Sequence, residues 1–222
     1  MTLLTTRRAA IGGALGLAAA AVTGVATPLR AQEDELAAKG YALGDIIKGD
    51  PDAPVTIIEY ASLTCPHCAS FHLNSYPQIE ADYIETGKAK LILREIYFDK
   101  FGLWSAAIAR CGGEAAYYPI LDMFLSRQRQ WYSNHVGAYN QTKNDRPIID
   151  EMKKIGRLAG LSNERMDSCL GDQDYFERLV EDFRTTSTED GVRSTPTFFI
   201  NGEQVVGAVS ASTLAEVIER NL

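Results

Sequence analysis

The sequence predicts an α/β fold in which a long helical block is inserted into a small sheet. Three features carry that expectation. Two short apolar runs, 55–60 and 89–98, flank a stretch with helical spacing. Helix-forming stretches then fill 101–190 with no strand between them, and strand character returns at Thr197-Phe198-Phe199-Ile200. Strand, helix, strand in that order implies a right-handed crossover between parallel neighbours.

The N-terminus reads as an address. Arg7 and Arg8 precede an uncharged run, 9–29, rich in Ala, Gly and Leu, and Arg30, Ala31 and the acidic Glu33, Asp34 and Glu35 follow it. A basic start, an apolar centre and a small-residue end make the pattern of a bacterial export signal over 1–31, and so place the mature chain in the periplasm. An uncleaved anchor is the alternative, since about 20 apolar residues can span a bilayer. Gly12, Gly13, Gly16, Gly24 and Pro28 weigh against it. The pair Arg7-Arg8 is similar to a twin-arginine signal, but a general secretory signal also carries basic residues there, and the route stays open. Loss of 1–31 leaves 191 residues, enough for one domain with an insertion. It also moves the formal charge from −7 to −10, with 19 basic residues against 29 acidic. That balance argues against nucleic acid or an anionic membrane as the main partner.

Residues 32–52 form an acidic stretch, expected to be a mobile extension. Val55-Thr56-Ile57-Ile58-Glu59-Tyr60 has the length and β-branched content of a buried strand. From Pro66 to about Thr86, the positions Cys68, Phe71, His72, Ser75, Ile79 and Tyr83 suit a helix that Pro66 opens, Pro77 kinks and Gly87 stops. Residues 89–98 alternate in part and read as a second strand. Helices are expected near 102–111, 118–132, 148–159, 163–170 and 174–188. Phe101, Trp104, Trp131 and Tyr132 in this block read as core, with a peptide groove as the alternative. Asn201-Gly202 joins 197–200 to 204–207 as a two-residue hairpin, and Ser210 caps a closing helix to about Arg220.

Four cysteines in an exported chain default to two disulfides, but their spacing makes them unequal. In Cys65-Pro66-His67-Cys68 two thiols lie one helical turn apart, so they can close and reopen a small ring by exchange. At the helix N-terminus Cys65 feels the positive end of the dipole, which favours thiolate and makes the disulfide more oxidising. His67 can add a hydrogen bond or positive charge there. Cys68, one turn deeper, is the resolving thiol. A structural disulfide and half of a zinc site are the alternatives, and Cys111, Cys169, His72 and His135 form no second ligand pair at zinc spacing. No metal and no cofactor are expected.

Strand, Cys-Pro-His-Cys, helix, helical insertion and then Thr195-Pro196-Thr197-Phe198-Phe199-Ile200-Asn201-Gly202 together resemble the DsbA-type thiol-disulfide oxidoreductases, over nearly the whole mature chain. The resemblance implies a thioredoxin-like domain at 53–100 plus 191–222, interrupted by a helical insertion at 101–190. It implies that Pro196 is a cis-proline facing the cysteines, with Thr195 before it offering backbone to a substrate peptide. It also implies that Glu59 is a buried acid beneath the cysteines, assisting proton movement at the inner thiol; a strand-end carboxylate is the alternative. Thr195 departs from the valine of the best-known strong oxidases, which leaves the redox poise open. In an oxidising compartment Cys111 and Cys169 are expected to bond to each other, as in a subset of similar proteins; a second redox role and two buried thiols are the alternatives. The implied partners are reduced or unfolded exported proteins and a quinone-linked membrane reoxidant of the DsbB type, and the chain is expected to be a monomer. A disulfide isomerase or reductase of the same fold, and a non-catalytic thiol or metal-binding module, are the competing functions.

Overall fold

The computed structural model describes residues 28–222. The expected export signal lies outside the described residues except for its last four, whose backbone opens the helix α1, Pro28–Ala38. Among the described residues no helix is long and apolar enough to cross a membrane.

The central strand is β2, Val55–Ala61. The strand β3, Ala89–Glu95, runs parallel to it, with Glu59 opposite Leu93. On the other side lies the antiparallel β4, Thr197–Ile200, with Glu59 opposite Phe198. The strand β5, Glu203–Val206, pairs with β4, and a two-residue β1, Ile47–Lys48, closes the far edge antiparallel to β3. The order β1-β3-β2-β4-β5 puts β2 in the middle of the sheet; Val55, Ile57, Glu59 and Ala61 on one face are buried, while on the other Thr56 and Ile58 are half-buried and Tyr60 is buried. The hairpin turn has positive φ at both Asn201 (46°) and Gly202 (92°), as a primed two-residue turn requires.

Between β2 and β3 the chain forms α2, Pro66–Asn74, then α3, Tyr76–Ile79, and a π-helical turn, Glu80–Ile84. The single kinked helix expected here breaks at Ser75, two residues before Pro77. A proline lacks an N–H and crowds the carbonyl four residues back, so the break falls ahead of the ring.

Six helices link β3 to β4: α4 (Lys100–Cys111), α5 (Glu114–Ser126), α6 (Asn134–Thr142), α7 (Arg146–Leu158), α8 (Asn163–Leu170) and α9 (Gln173–Glu189). The helix α10, Ala211–Arg220, closes the chain. Side-chain oxygens cap four of these: Asp99 accepts from the N–H groups of Phe101 and Gly102, Ser162 from Arg165, Asp172 from Tyr175 and Ser210 from Thr213. The expected 118–132 helix is instead α5 followed by a π-helical turn, Arg129–Ser133. The helix α6 was not expected; it has no buried residue and therefore no apolar period. Phe101 and Trp131 lie in the core, while Trp104 and Tyr132 pack against it half-buried.

Residues 32–52 are not a mobile extension. Leu36, Tyr41, Ala42 and Ile46 are buried, and Arg110 on α4 donates to the carbonyls of Ala42 and Gly44. These anchors recur at no helix or strand period, so the sequence reads as loop.

Cys111 at the end of α4 and Cys169 in α8 form a disulfide across 58 residues, inside a small cluster with Leu36, Tyr41, Ala107, Tyr175 and Leu179. The bond closes a long loop in the unfolded chain. Replacing both cysteines with serine is expected to cost about 2–4 kcal/mol, read as a lower urea midpoint of unfolding.

Candidate functional site

The site begins where β2 ends. A turn donates the Cys65 N–H to the Ser62 carbonyl at 3.0 Å, and Cys65 becomes the extended N-cap of α2, with φ −80° and ψ 121°. Pro66 occupies the first helical position, where its missing N–H costs nothing. The side-chain amide of Gln128, buried beneath this turn, donates to the carbonyls of Leu63 at 2.9 Å and Cys65 at 2.8 Å. Sequence reasoning missed Gln128, because nothing in a lone glutamine 63 residues away signals that contact.

Both cysteines are free thiols. Cys65 keeps 7% of its surface exposed and Cys68 none, so the outer and inner positions are as helix geometry requires. The Cys65 thiol is lowered to about 5, first by the hydrogen bond from Cys68, against the cost of burial, with further help from Thr195 and the backbone N–H groups of Cys68 and His67. The same contact pushes Cys68 strongly upward, joined by burial and by the negative charge of Glu59.

His67 and Pro66 are exposed. His67 acts on Cys65 through its backbone N–H, and among the described residues its ring has no hydrogen-bond partner. The Thr195–Pro196 peptide is cis, and the Cys65 thiol lies 3.6 Å from the Thr195 carbonyl. That carbonyl therefore borders the outer sulfur. The Thr195 hydroxyl is buried and, apart from its influence on the Cys65 sulfur, has no hydrogen-bond partner.

Glu59 is fully buried in the middle of the sheet, not at a strand end. Its two carboxylate oxygens lie 2.9 and 3.1 Å from Nε2 of His72. The sequence reading placed His72 on the helix without a role. Its position four residues after Cys68 is the available signal, since that spacing puts both side chains on one face of α2. Among the described residues no group of three or more His, Cys, Asp or Glu side chains is arranged to hold a metal ion.

Comparison with known proteins agrees with this geometry. A family model described as "Thioredoxin" matches residues 42–220. A Rickettsia bellii protein whose name assigns it provisionally to the protein-disulfide oxidoreductases is 30% identical over 76% of this chain and 62% of its own length. The chain thus spans about three fifths of that relative. Disulfide bond formation protein D of Bacillus subtilis is 24% identical over 81% of this chain and 78% of its own. Among solved structures, α-DsbA1 of Wolbachia pipientis superposes with a TM-score of 0.70 at 28% identity, covering 80% of this chain and 90% of that one. The chain belongs to the thioredoxin family, and its fold is the DsbA-like form with an inserted helical domain.

Proposed function

We propose that the chain is a protein-disulfide oxidoreductase, exported to the periplasm, that oxidises dithiols in reduced exported proteins at Cys65 and Cys68. The observation that carries this reading is the Cys65 thiol, lowered to about 5 beside a fully buried Cys68. A stabilised thiolate favours the reduced pair, and so makes the disulfide an electron acceptor.

In the proposed reaction a substrate thiolate attacks Sγ of Cys65. The Cys65–Cys68 bond breaks, and its electron pair goes to Cys68, which takes up one proton. The second substrate thiolate then attacks the substrate sulfur of the mixed disulfide, and Cys65 leaves as thiolate. The substrate gives up two protons and two electrons; the protein keeps both electrons and one proton. The Thr195 carbonyl beside Cys65 would accept a backbone N–H of the substrate and hold its cysteine in line. A quinone-linked membrane protein of the DsbB type is the reoxidant that the family resemblance supports, and no cofactor is needed for the exchange itself.

The test is the equilibrium potential of the pair against glutathione, read by quenching, alkylating and weighing the peptide that holds both cysteines. A value well above that of thioredoxin, about −270 mV, is expected. A value at or below it overturns the oxidase direction in favour of a reductase or isomerase. With Cys65 ionised above pH 5 and Cys68 protonated, two electrons carry one proton. The potential should then fall by about 30 mV per pH unit between pH 6 and 8, where two protons would give about 59 mV.

A further inference from the structure

We propose that His72 is a positioning residue that carries protons between Glu59 and a solvent cleft, so that Cys68 leaves and attacks without being stranded as a buried thiolate. The proposal rests on Cys65 and Cys68 being an exchanging pair.

The geometry is a chain of polar groups from the inner sulfur to solvent. Glu59, with no exposed surface, lies close enough to Cys68 to disfavour its thiolate. Its carboxylate is held by His72 Nε2 at 2.9 Å. His72 also lines a cleft of about 260 Å³, whose other walls include Tyr76, Glu80 and Asp122. The ring of Tyr76 packs 4.7 Å from that of His72, and its hydroxyl is buried without a partner. An unpaired hydroxyl beside a cleft of this size, with Glu80 and Asp122 also on its walls, is a place where water can bridge.

Titratable groups lie around His72 on the neighbouring elements. Glu59 comes from β2, Cys68 from α2 itself, Tyr76 from α3, Glu80 from the π-helical turn and Asp122 from α5. Lys48 of β1 pairs with Glu80 at 2.6 Å and Asp122 at 3.2 Å, and lies 5.2 Å from the Tyr76 ring centroid. The mouth of the cleft therefore carries one cation between two carboxylates, while its inner end holds one carboxylate and one imidazole.

When a thiolate bonds to Cys65 Sγ, the electron pair of the Cys65–Cys68 bond moves to Cys68 Sγ. A second negative charge beside buried Glu59 is costly. The Glu59 carboxylate takes the proton from Nε2 of His72 and hands it to Cys68 while His72 takes one up from the cleft, so the net transfer is one proton from solvent to Cys68. Reoxidation runs the same path outward. A static ion pair would hold Glu59 without any need for the cleft beside it.

The test uses the oxidised full chain reduced by dithiothreitol from pH 5 to 8, with acid quench and alkylation, in the variants Glu59→Gln, His72→Gln and both together. His72→Gln is expected to be slower at pH 7 by roughly tenfold or more, the low end of what positioned proton transfer contributes. The gap should widen toward pH 8, while the alkylation midpoint of Cys65 stays put. The double variant should be no slower than Glu59→Gln alone, because both block one route. A His72→Gln rate equal to wild type at every pH, a shifted Cys65 midpoint, or additive losses in the double variant would overturn the proposal. If His72→Gln fails to fold because it strands the carboxylate, the comparison of Glu59→Gln with the double variant decides: equal rates support the relay and a slower double variant sinks it. A wild-type chain that dithiothreitol does not reduce would instead defeat the reading of Cys65 and Cys68 themselves.

Discussion

Replacing Cys65 with alanine should reduce dithiol oxidation to the uncatalysed rate, and replacing Cys68 with alanine should leave a chain that captures substrates and holds them. The asymmetry comes from depth. Cys65 borders the surface and the Thr195 carbonyl, whereas Cys68 has no exposed surface from which to meet a protein substrate. Without Cys65 no sulfur can be attacked. Without Cys68 a mixed disulfide at Cys65 has no resolving thiol within reach, and it should persist on a non-reducing gel. The second variant also tests the electrostatics, because the largest stabiliser of the Cys65 thiolate is the hydrogen bond from Cys68. Its alkylation midpoint should move up from about 5 toward the ordinary thiol range. A midpoint that stays near 5 would show that the helix N-terminus and Thr195 suffice alone.

The largest loss of stability is expected from Arg110→Ala. The guanidinium is buried on α4, donates to the Glu95 carboxylate at 2.7 and 2.8 Å, and reaches the carbonyls of Ala42 and Gly44. The Tyr117 hydroxyl donates to the same carboxylate at 2.8 Å. Truncation leaves a buried carboxylate without its cation and frees two carbonyls, at a cost of about 3–5 kcal/mol. Urea unfolding reads it as a lower midpoint at unchanged slope. The double change Glu95→Gln with Arg110→Met should recover much of the loss, since no charge is then buried alone. Because Arg110 also ties down 42–44, Arg110→Ala should expose the preceding segment to proteolysis sooner than the rest of the chain.

Elements with strong local chemistry were legible in the sequence. Thr197–Ile200, the Asn201-Gly202 turn and the Ser210 cap each carry their signal within a few residues. The spacing of Cys65 and Cys68, with a proline opening the helix, likewise placed the outer and inner thiols. What stayed hidden depends on distant partners. Residues 36–48 are ordered by Arg110 and β3, far along the chain, and α6 has no buried face to mark it. Gln128 under Cys65, and His72 against Glu59, are single polar residues whose meaning comes from where the backbone turns. Neither residue type is diagnostic alone.

The two edges of the sheet have a further consequence. A protein whose proposed clients are unfolded chains is continually exposed to extended peptides seeking unpaired backbone, and a long bare edge strand would recruit them into its own sheet. Here one edge is β1, only two residues long. The other is β5, four residues with a mostly exposed polar start, where Glu203 is paired to Arg220 at 2.6 Å and Gly207 follows with φ 94°. Neither offers the flat, continuous ladder on which aggregation grows, so clients can be held briefly at a sulfur without being stitched to the sheet beside it.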